Sequence, residues 1–435
     1  MQKYFKRFPS LGIIMHLRKK TDTGLFLFTS EFPCGHGEPF LNSELPYIAA
    51  SIKKVFVIPI RFSAQVTHLP ENVKLLNHND FKSKKSKWQF FISYFFPLIT
   101  MCLNDLFFSS NRKKFIRHFR EYLSYLLHCI ELAERIESLL ETNQITSHQI
   151  AYSYWMNEWA MALSILKNRK KIDKFIFRVH GFDVFDEQTR HTYIPFVPFI
   201  ISKCDKVFSV SNKGAQYLKL KVNKKDAAKV TCSYLGTETE VEKFSLKKAN
   251  DKIYTLVSCA KIRSIKRIHL IAEILKYIDF PVRWIHLGGY AEENYKLKVD
   301  SALVELAQIR PEIRVDFKGD LSNEAIMDFY KENYCNLFIS LSLTEGLPFS
   351  MMEAISFGIP LLATDVGGCS EIVTPQTGML IPKDFNPQEV AEKMTTFKDS
   401  KLQTPEYRIG VRQFWEENFN AKVNYRKFVE EILKI

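Results

Sequence analysis

Short apolar runs of strand length recur along this chain, each giving way to a polar turn and then to a stretch with apolar residues three and four positions apart. Alternating periods of two and 3.6 indicate strands and helices taking turns, the unit from which parallel sheets are wound. The pattern predicts strands over 24–28, 55–60, 150–155, 174–179 and 205–211 and, after a closing run at 229–235, over 254–260, 282–287, 313–317, 337–342 and 361–366. Helices are predicted through Leu45 and Ile48, over 115–140 and 157–166, from Ser211-Asn212 to Leu218, and over 268–275, 349–357, 387–397 and 405–433. A polar, charged stretch at 236–252 separates the two series and reads as a linker. The 435 residues exceed what one hydrophobic core usually supports, which also predicts two domains.

Two stretches stand outside this rhythm. The first 23 residues are basic around a short apolar centre and lack the long apolar region and small-residue cleavage site of a signal peptide, so they read as a poorly ordered extension. Residues 82–87 (KSKKSK) precede an aromatic run at 88–99 that Gln89 and Pro97 interrupt, which rules out a membrane span. Basic residues beside an aromatic face fit a helix lying in the lipid interface, and a core helix with a solvated basic loop fits equally well.

Composition adds two limits. Hydrophobic residues make up 46% and charged residues 25%, as in a folded globular protein. The net charge of +13 calls for an anionic partner. The basic residues are spread along the chain with no nucleic-acid motif, so the expected partner is a nucleotide sugar, a lipid diphosphate or anionic phospholipid. Eight cysteines occur singly, without a CxxC pair or metal spacing, and read as buried thiols in a reducing compartment.

The chemistry concentrates at the predicted carboxyl ends of strands, where α/β sheets bind ligands. The densest stretch is 336–371, a strand, loop, helix and strand. Its loop Glu345-Gly346-Leu347-Pro348 leads into a helix start whose amides favour an anionic or hydroxyl-rich ligand. Glu345 and Glu353, eight positions apart, suit sugar hydroxyls because ionised carboxylates only accept hydrogen bonds. Gly367-Gly368 lets the backbone approach a ligand closely, with Glu371 just beyond. Upstream, Lys261, Arg263, Lys266 and Arg267 crowd one strand-to-helix turn, which is costly unless a phosphate is expected there. In the first half, Gly35 and Gly37 lie in a loop suited to a diphosphate, and the strand at 174–179 runs into Arg178, His180 and Asp183, expected to face the same crevice.

These motifs together resemble the retaining nucleotide-sugar glycosyltransferases of glycosyltransferase family 4. The resemblance rests on E-x7-E within TEGLPFSMMEAISFGIPLLAT, on DVGGCSEIV with Gly378, on FPxGxGE followed by FxxxE, and on RxHGxD. FPxGxGE is similar to the first loop of members that build bacterial surface polysaccharide. The implied fold is α/β and GT-B: two Rossmann-like domains facing across a cleft, with a C-terminal helix, WEENFNAKVNYRKF, returning to the N-terminal domain. The implied boundaries are an extension at 1–23, an acceptor-side domain at 24–240, a nucleotide-sugar domain at 241–404 and a returning helical segment at 405–435.

By the same resemblance, Glu345 holds the donor sugar, Glu353 the ribose, and Gly367 and Gly368 the sugar or diphosphate. The loop with Gly319 touches the base, and His180 with Asp183 shapes the sugar and acceptor side. Lys266 matches the family's diphosphate lysine, while Lys261 stands where arginine is usual and offers a point charge instead of a planar fork. The implied activity is transfer of a sugar, with retention, from a nucleotide-sugar donor to a saccharide or polyprenyl-diphosphate-linked acceptor in exopolysaccharide, capsule or lipopolysaccharide synthesis. The leaving diphosphate itself would help deprotonate the incoming hydroxyl, without cofactor or metal, in the cytoplasm or on the inner face of its membrane. Two rivals remain open: a nucleotide-sugar 2-epimerase of the same architecture, and a non-catalytic basic protein binding membrane or nucleic acid.

Overall fold

The computed structural model describes residues 21–35, 38–63, 66–81, 99, 102, 112–142, 149–186, 189, 193–239, 253–400 and 403–435. Gly37, nearly all of the 82–99 run and most of the predicted linker lie outside them. The chain divides into two units, one comprising 1–209, 215–232 and 425–435, the other 210–214 and 233–424.

The first unit is a seven-stranded parallel sheet with the order β3-β2-β1-β4-β5-β6-β7. Its strands are β1 (Thr21–Thr29), β2 (Ile52–Pro59), β3 (Val73–Leu75), β4 (Ile150–Ser153), β5 (Lys174–Val179), β6 (Lys206–Ser209) and β7 (Val230–Cys232). β1 begins three residues before the predicted strand, because Thr21 pairs with Ile52 across a register irregularity that ends at Gly24. Helix α1 (Leu41–Ser51) follows β1. The long predicted helix is split into α2 (Arg112–Arg117) and α3 (Phe119–Thr142), whose inner face buries Tyr122, Leu126, Ile130 and Ala133. With α4 (Glu158–Asn168), which buries Trp159, Leu163 and Leu166, these residues form the core on one face of the sheet.

The second unit is a six-stranded parallel sheet with the order β10-β9-β8-β11-β12-β13. Its strands are β8 (Tyr254–Cys259), β9 (Val282–Leu287), β10 (Arg314–Phe317), β11 (Leu337–Ser340), β12 (Leu361–Thr364) and β13 (Gly378–Ile381). Strands β8, β11 and β12 are apolar and bury most positions, as strands covered on both faces must. β13 escapes the sequence pattern because three of its four residues are only half-buried. Helices α5 (Val197–Lys203), α6 (Asn212–Leu220), α7 (Lys224–Ala227) and α8 (His269–Leu275) come between α4 and α9 (Glu293–Ile309), which escapes the pattern because its 17 residues bury only a thin stripe of Tyr295, Val299, Ala302 and Leu306.

In each sheet the strand order reverses once, between β1 and β4 in the first and between β8 and β11 in the second. Neighbouring loops part at that reversal and leave a crevice at the carboxyl edge, which is where open α/β sheets place ligands. Both units are thus Rossmann-like.

Candidate functional site

In the second unit, the loop after β8 and the loop after β11 flank the reversal point. Lys266, at the end of the turn after β8, lies 2.5 Å from Glu345 of the loop after β11. Ser342 Oγ donates to the same Glu345 oxygen at 2.6 Å, and Thr364 Oγ1 donates to the Ser342 carbonyl at 2.7 Å. One carboxylate therefore orients the lysine while itself being held by the strand ends on either side. Helix α11 (Phe349–Ser356) starts four residues after Glu345, with Pro348 at its N-cap position and Leu347 buried.

Gly367 has φ of +50°, and a Cβ there would lie 1.7 Å from the Glu345 carbonyl oxygen. The Gly368 amide donates to the Gly346 carbonyl at 2.8 Å. The glycine pair therefore locks the Glu345-Gly346 loop backbone to backbone, which explains the need for glycine without invoking a ligand.

Glu353 is buried on α11 and accepts from Asn323 Nδ2 at 2.5 Å. Asn323 opens α10 (Asn323–Glu332), whose N-cap is Ser322. Burial pushes the Glu353 carboxyl up to about 7, opposed in part by the Asn323 amide. Its other polar neighbours are Tyr330 and Cys259, both also raised by burial.

Lys261 lies 2.5 Å from Asp320, whose same oxygen accepts from the Gly289 amide at 2.7 Å. Both side chains of this pair are more than half exposed, so it is a weak contact. Gly319, beside it, adopts φ of +69° with open space where a Cβ would stand. Glu371 is placed differently from the expectation of a donor contact. It sits on a single-turn helix, Cys369–Ile372, and its carboxylate accepts from the Asn212 and Lys213 amides at 2.7 and 2.9 Å and from the Tyr234 hydroxyl at 2.7 Å.

In the first unit, the loops after β1, β4 and β5 converge. Glu38, 2% exposed, accepts from the amides of Ser30, Glu31 and Phe32 at 2.7–2.9 Å and from the Trp155 indole N–H. Gly35 lies in this loop, where a Cβ would collide with the Glu31 side chain. Asp183 accepts from the His180 amide at 2.5 Å and the Met156 amide at 2.9 Å, so the carboxylate organises the 180–183 turn. The His180 ring stands among Trp155, Tyr154 and Phe40, with centroids at 4.0, 4.9 and 6.2 Å. Burial lowers its pKa, which leaves a neutral imidazole at physiological pH.

Arg178 corrects the expectation that the Arg, His and Asp at the end of β5 all face the crevice. Its side chain is fully buried, 3.1 Å from the Glu44 carboxylate, with Tyr152 bonded to both. Phe428, in the segment 425–435 of this unit, packs on the guanidinium at 4.1 Å. Strand alternation sends residue 178 to the opposite face from its neighbours, and only the Glu44 partner makes that burial tolerable. Half the cysteines also depart from expectation: Cys34, Cys102, Cys232 and Cys259 are only partly buried.

Sequence reasoning did not single out Asn323, Ser342, Trp155 or Tyr152. Glu38 and Glu44 stood inside the FPxGxGE and FxxxE motifs, and their spacing was the available signal. A cavity of about 570 Å³ between β13 and the helix Pro387–Lys398, lined by Met379, Glu389, Glu392 and Phe397, contains none of these residues. Among the described residues, no group of three potential metal ligands occurs, and no helix is long and apolar enough to cross a membrane.

Residues 238–409, which carry the lysine and glutamate cluster, match the family described as Glycosyl transferases group 1. The chain is 22% identical over 326 residues to a protein named uncharacterized glycosyltransferase MJ1178 from Methanocaldococcus jannaschii, covering 74% of this chain and 83% of that one. It is 31% identical over 120 residues to the O-antigen biosynthesis glycosyltransferase WbnH of Escherichia coli, a stretch spanning 28% of this chain and 31% of that protein. Among solved structures, Anabaena Alr3699/HepE in complex with UDP superposes with a TM-score of 0.65 at 14% identity, covering 95% of this chain and 100% of that one. That likeness supports the GT-B fold.

Proposed function

We propose that this chain, a glycosyltransferase carrying a glycosyl transferases group 1 domain, moves a sugar with retention from a nucleotide-sugar donor to a saccharide or lipid-linked saccharide of a bacterial surface polysaccharide. The carrying observation is the Lys266–Glu345 pair at the reversal point of the second sheet, backed by the Gly367-Gly368 lock and adjoined by buried Glu353. A donor diphosphate takes the Lys266 ammonium, joined by Lys261, and leaves Glu345 to accept from sugar hydroxyls. Glu353 accepts from the ribose. The name of WbnH motivates the polysaccharide acceptor, and the UDP bound by the Anabaena protein motivates uridine as the first base to test.

Catalysis on this reading is positioning and charge stabilisation. As the anomeric bond breaks, negative charge grows on the departing diphosphate, and on this reading the two lysines and the first amides of α11 stabilise it. The incoming hydroxyl gives its proton to that diphosphate on the same face of the sugar, so no side chain acts as general base and no divalent ion is required. In the first unit, Lys113, Arg117 and Arg120, beside exposed Ile116 and Phe119, form a basic and apolar face suited to anionic phospholipid. On this reading the enzyme works at the cytoplasmic face of a membrane.

The test is a melting-temperature screen against nucleoside diphosphates, followed by assay of sugar transfer from the matching donor. UDP is expected to raise the melting temperature. If no nucleoside diphosphate does so, the donor site is wrongly assigned; epimerised donor as sole product would favour an epimerase.

A further inference from the structure

Arg267 closes the turn between β8 and α8 in the left-handed region, with φ of +50° and ψ of +39°. A side chain crowds the backbone there, so a residue other than glycine keeps that conformation only where its surroundings hold it, and such residues gather at functional sites. Sequence alone reads Arg267 as one more cation awaiting a phosphate. In the structure its guanidinium is engaged by the protein instead.

Its Nε donates to the Leu341 carbonyl at 2.5 Å and its Nη1 to the Lys383 carbonyl at 2.9 Å, while Nη2 stands 3.5 Å from the Ser342 carbonyl. The guanidinium also lies over the Phe385 ring, 5.4 Å from its centroid. Leu341 and Ser342 follow β11 and Lys383 follows β13, so one side chain rooted after β8 joins three strand ends of the second sheet. Beside it the Leu343 amide donates to the Ile265 carbonyl at 2.9 Å. A planar fork fixes the directions of several donors at once, which a lysine ammonium on its flexible stem does not. At the other end of the turn, Glu292 accepts from the Ser264 amide and hydroxyl at 2.6 and 3.1 Å. Lys266 therefore stands between two anchors.

We propose that Arg267 is a positioning residue of the transfer reaction, a strut that sets Lys266 against the donor diphosphate without itself touching substrate. This rests on the donor reading above. Lys266 and Glu345 sit on the two segments that Arg267 joins: Lys266 precedes it directly, and the Ser342 whose carbonyl faces Nη2 is the residue whose hydroxyl donates to Glu345. The 2.5 Å contact between Lys266 and Glu345 holds only while the turn and the loop keep their spacing. Stabilising charge on a departing group depends on donors fixed in advance, and a displacement of about 1 Å can lower a rate on the order of a hundredfold. The left-handed backbone at 267 and the three carbonyls thus serve one end, the placement of the lysine before it.

Calorimetry on the full chain, with UDP and UMP as probes, tests this in the wild type, Arg267→Gly and Arg267→Lys. Glycine accepts the left-handed conformation, so the first variant loses the struts without strain; lysine keeps the charge and loses the fork. Both variants are expected to bind UDP about tenfold more weakly, with UMP, which lacks the second phosphate, weakened less than about threefold. Millimolar guanidinium ion should restore UDP binding to the Gly variant and not to the Lys variant, whose side chain fills the space. Three results overturn the proposal: UDP affinity unchanged in the variants, equal losses for UDP and UMP, which mark a merely structural role, or full rescue by lysine, which makes Arg267 a plain cation. If the Gly variant fails to fold, the Lys variant decides by the same UDP and UMP affinities. Wild-type binding of UDP with unchanged variants refutes the strut alone, whereas a wild type that binds neither UDP nor any other nucleoside diphosphate refutes the donor reading and the strut with it.

Discussion

Glu353 offers the sharpest test of how site and stability are coupled. Its carboxyl is held up to about 7 by burial, against an ordinary 4.5, with Asn323 as its hydrogen-bond donor and Tyr330 and Cys259 as neighbours. Holding the ionised form in that environment costs about 3 kcal/mol at pH 8. The folded-state value is raised, so the stability contribution is fully present below about 4.5, declines as pH rises to about 7 and is absent above. Glu353→Gln keeps an acceptor for Asn323 and removes the ionisation. It should therefore stabilise the protein by up to about 3 kcal/mol at pH 8 and have little effect at pH 4, as read by urea denaturation.

Ligand binding should respond in the opposite sense, because a ribose hydroxyl donates best to the ionised carboxylate. Between pH 6 and pH 8 the ionised fraction rises about tenfold, so UDP affinity in calorimetry should strengthen by about that factor in the wild type. In the Gln variant only the smaller change from the phosphate's own titration should remain. Equal pH profiles in the two proteins, or a Gln variant no more stable at pH 8, would refute the account of Glu353 as a buried, ligand-facing carboxylate.

Three further outcomes follow from geometry. Lys266→Met should weaken UDP binding by tenfold or more, since it also leaves largely buried Glu345 without its cation, whereas Lys261→Met, from an exposed pair, should cost less; equal losses in calorimetry would contradict the ranking. Gly367→Ala forces a side chain into φ of +50° and against the Glu345 carbonyl, so the melting temperature should drop by the equivalent of at least ~1–2 kcal/mol and UDP binding should fall with it. Unchanged UDP affinity would show that the loop position does not matter. Arg178→Met leaves Glu44 buried without its cation and should destabilise the chain by about 3–5 kcal/mol in urea titrations; adding Glu44→Gln should restore part of it.

Local pattern was sufficient for most of the sheets, because a strand buried on both faces announces itself in any order of folding: β5 and β9 fall at their predicted residues. The acids, lysines and glycines of the site were also visible, since carboxyl-edge loops carry the few polar residues between apolar runs. Tertiary structure decided what each faces. Arg178 reads as an edge residue in sequence, yet Glu44, 134 positions away, draws it into the interior. Glu371 follows a glycine turn like a ligand contact, yet three donors from residues 212, 213 and 234 occupy it. Glu353 looks like any early-helix carboxylate until burial, opposed only in part by a single amide from another helix, lifts its pKa. Periodicity records which face of an element is apolar. Pairing between distant polar groups depends on where the folded backbone carries them, and no local period encodes that.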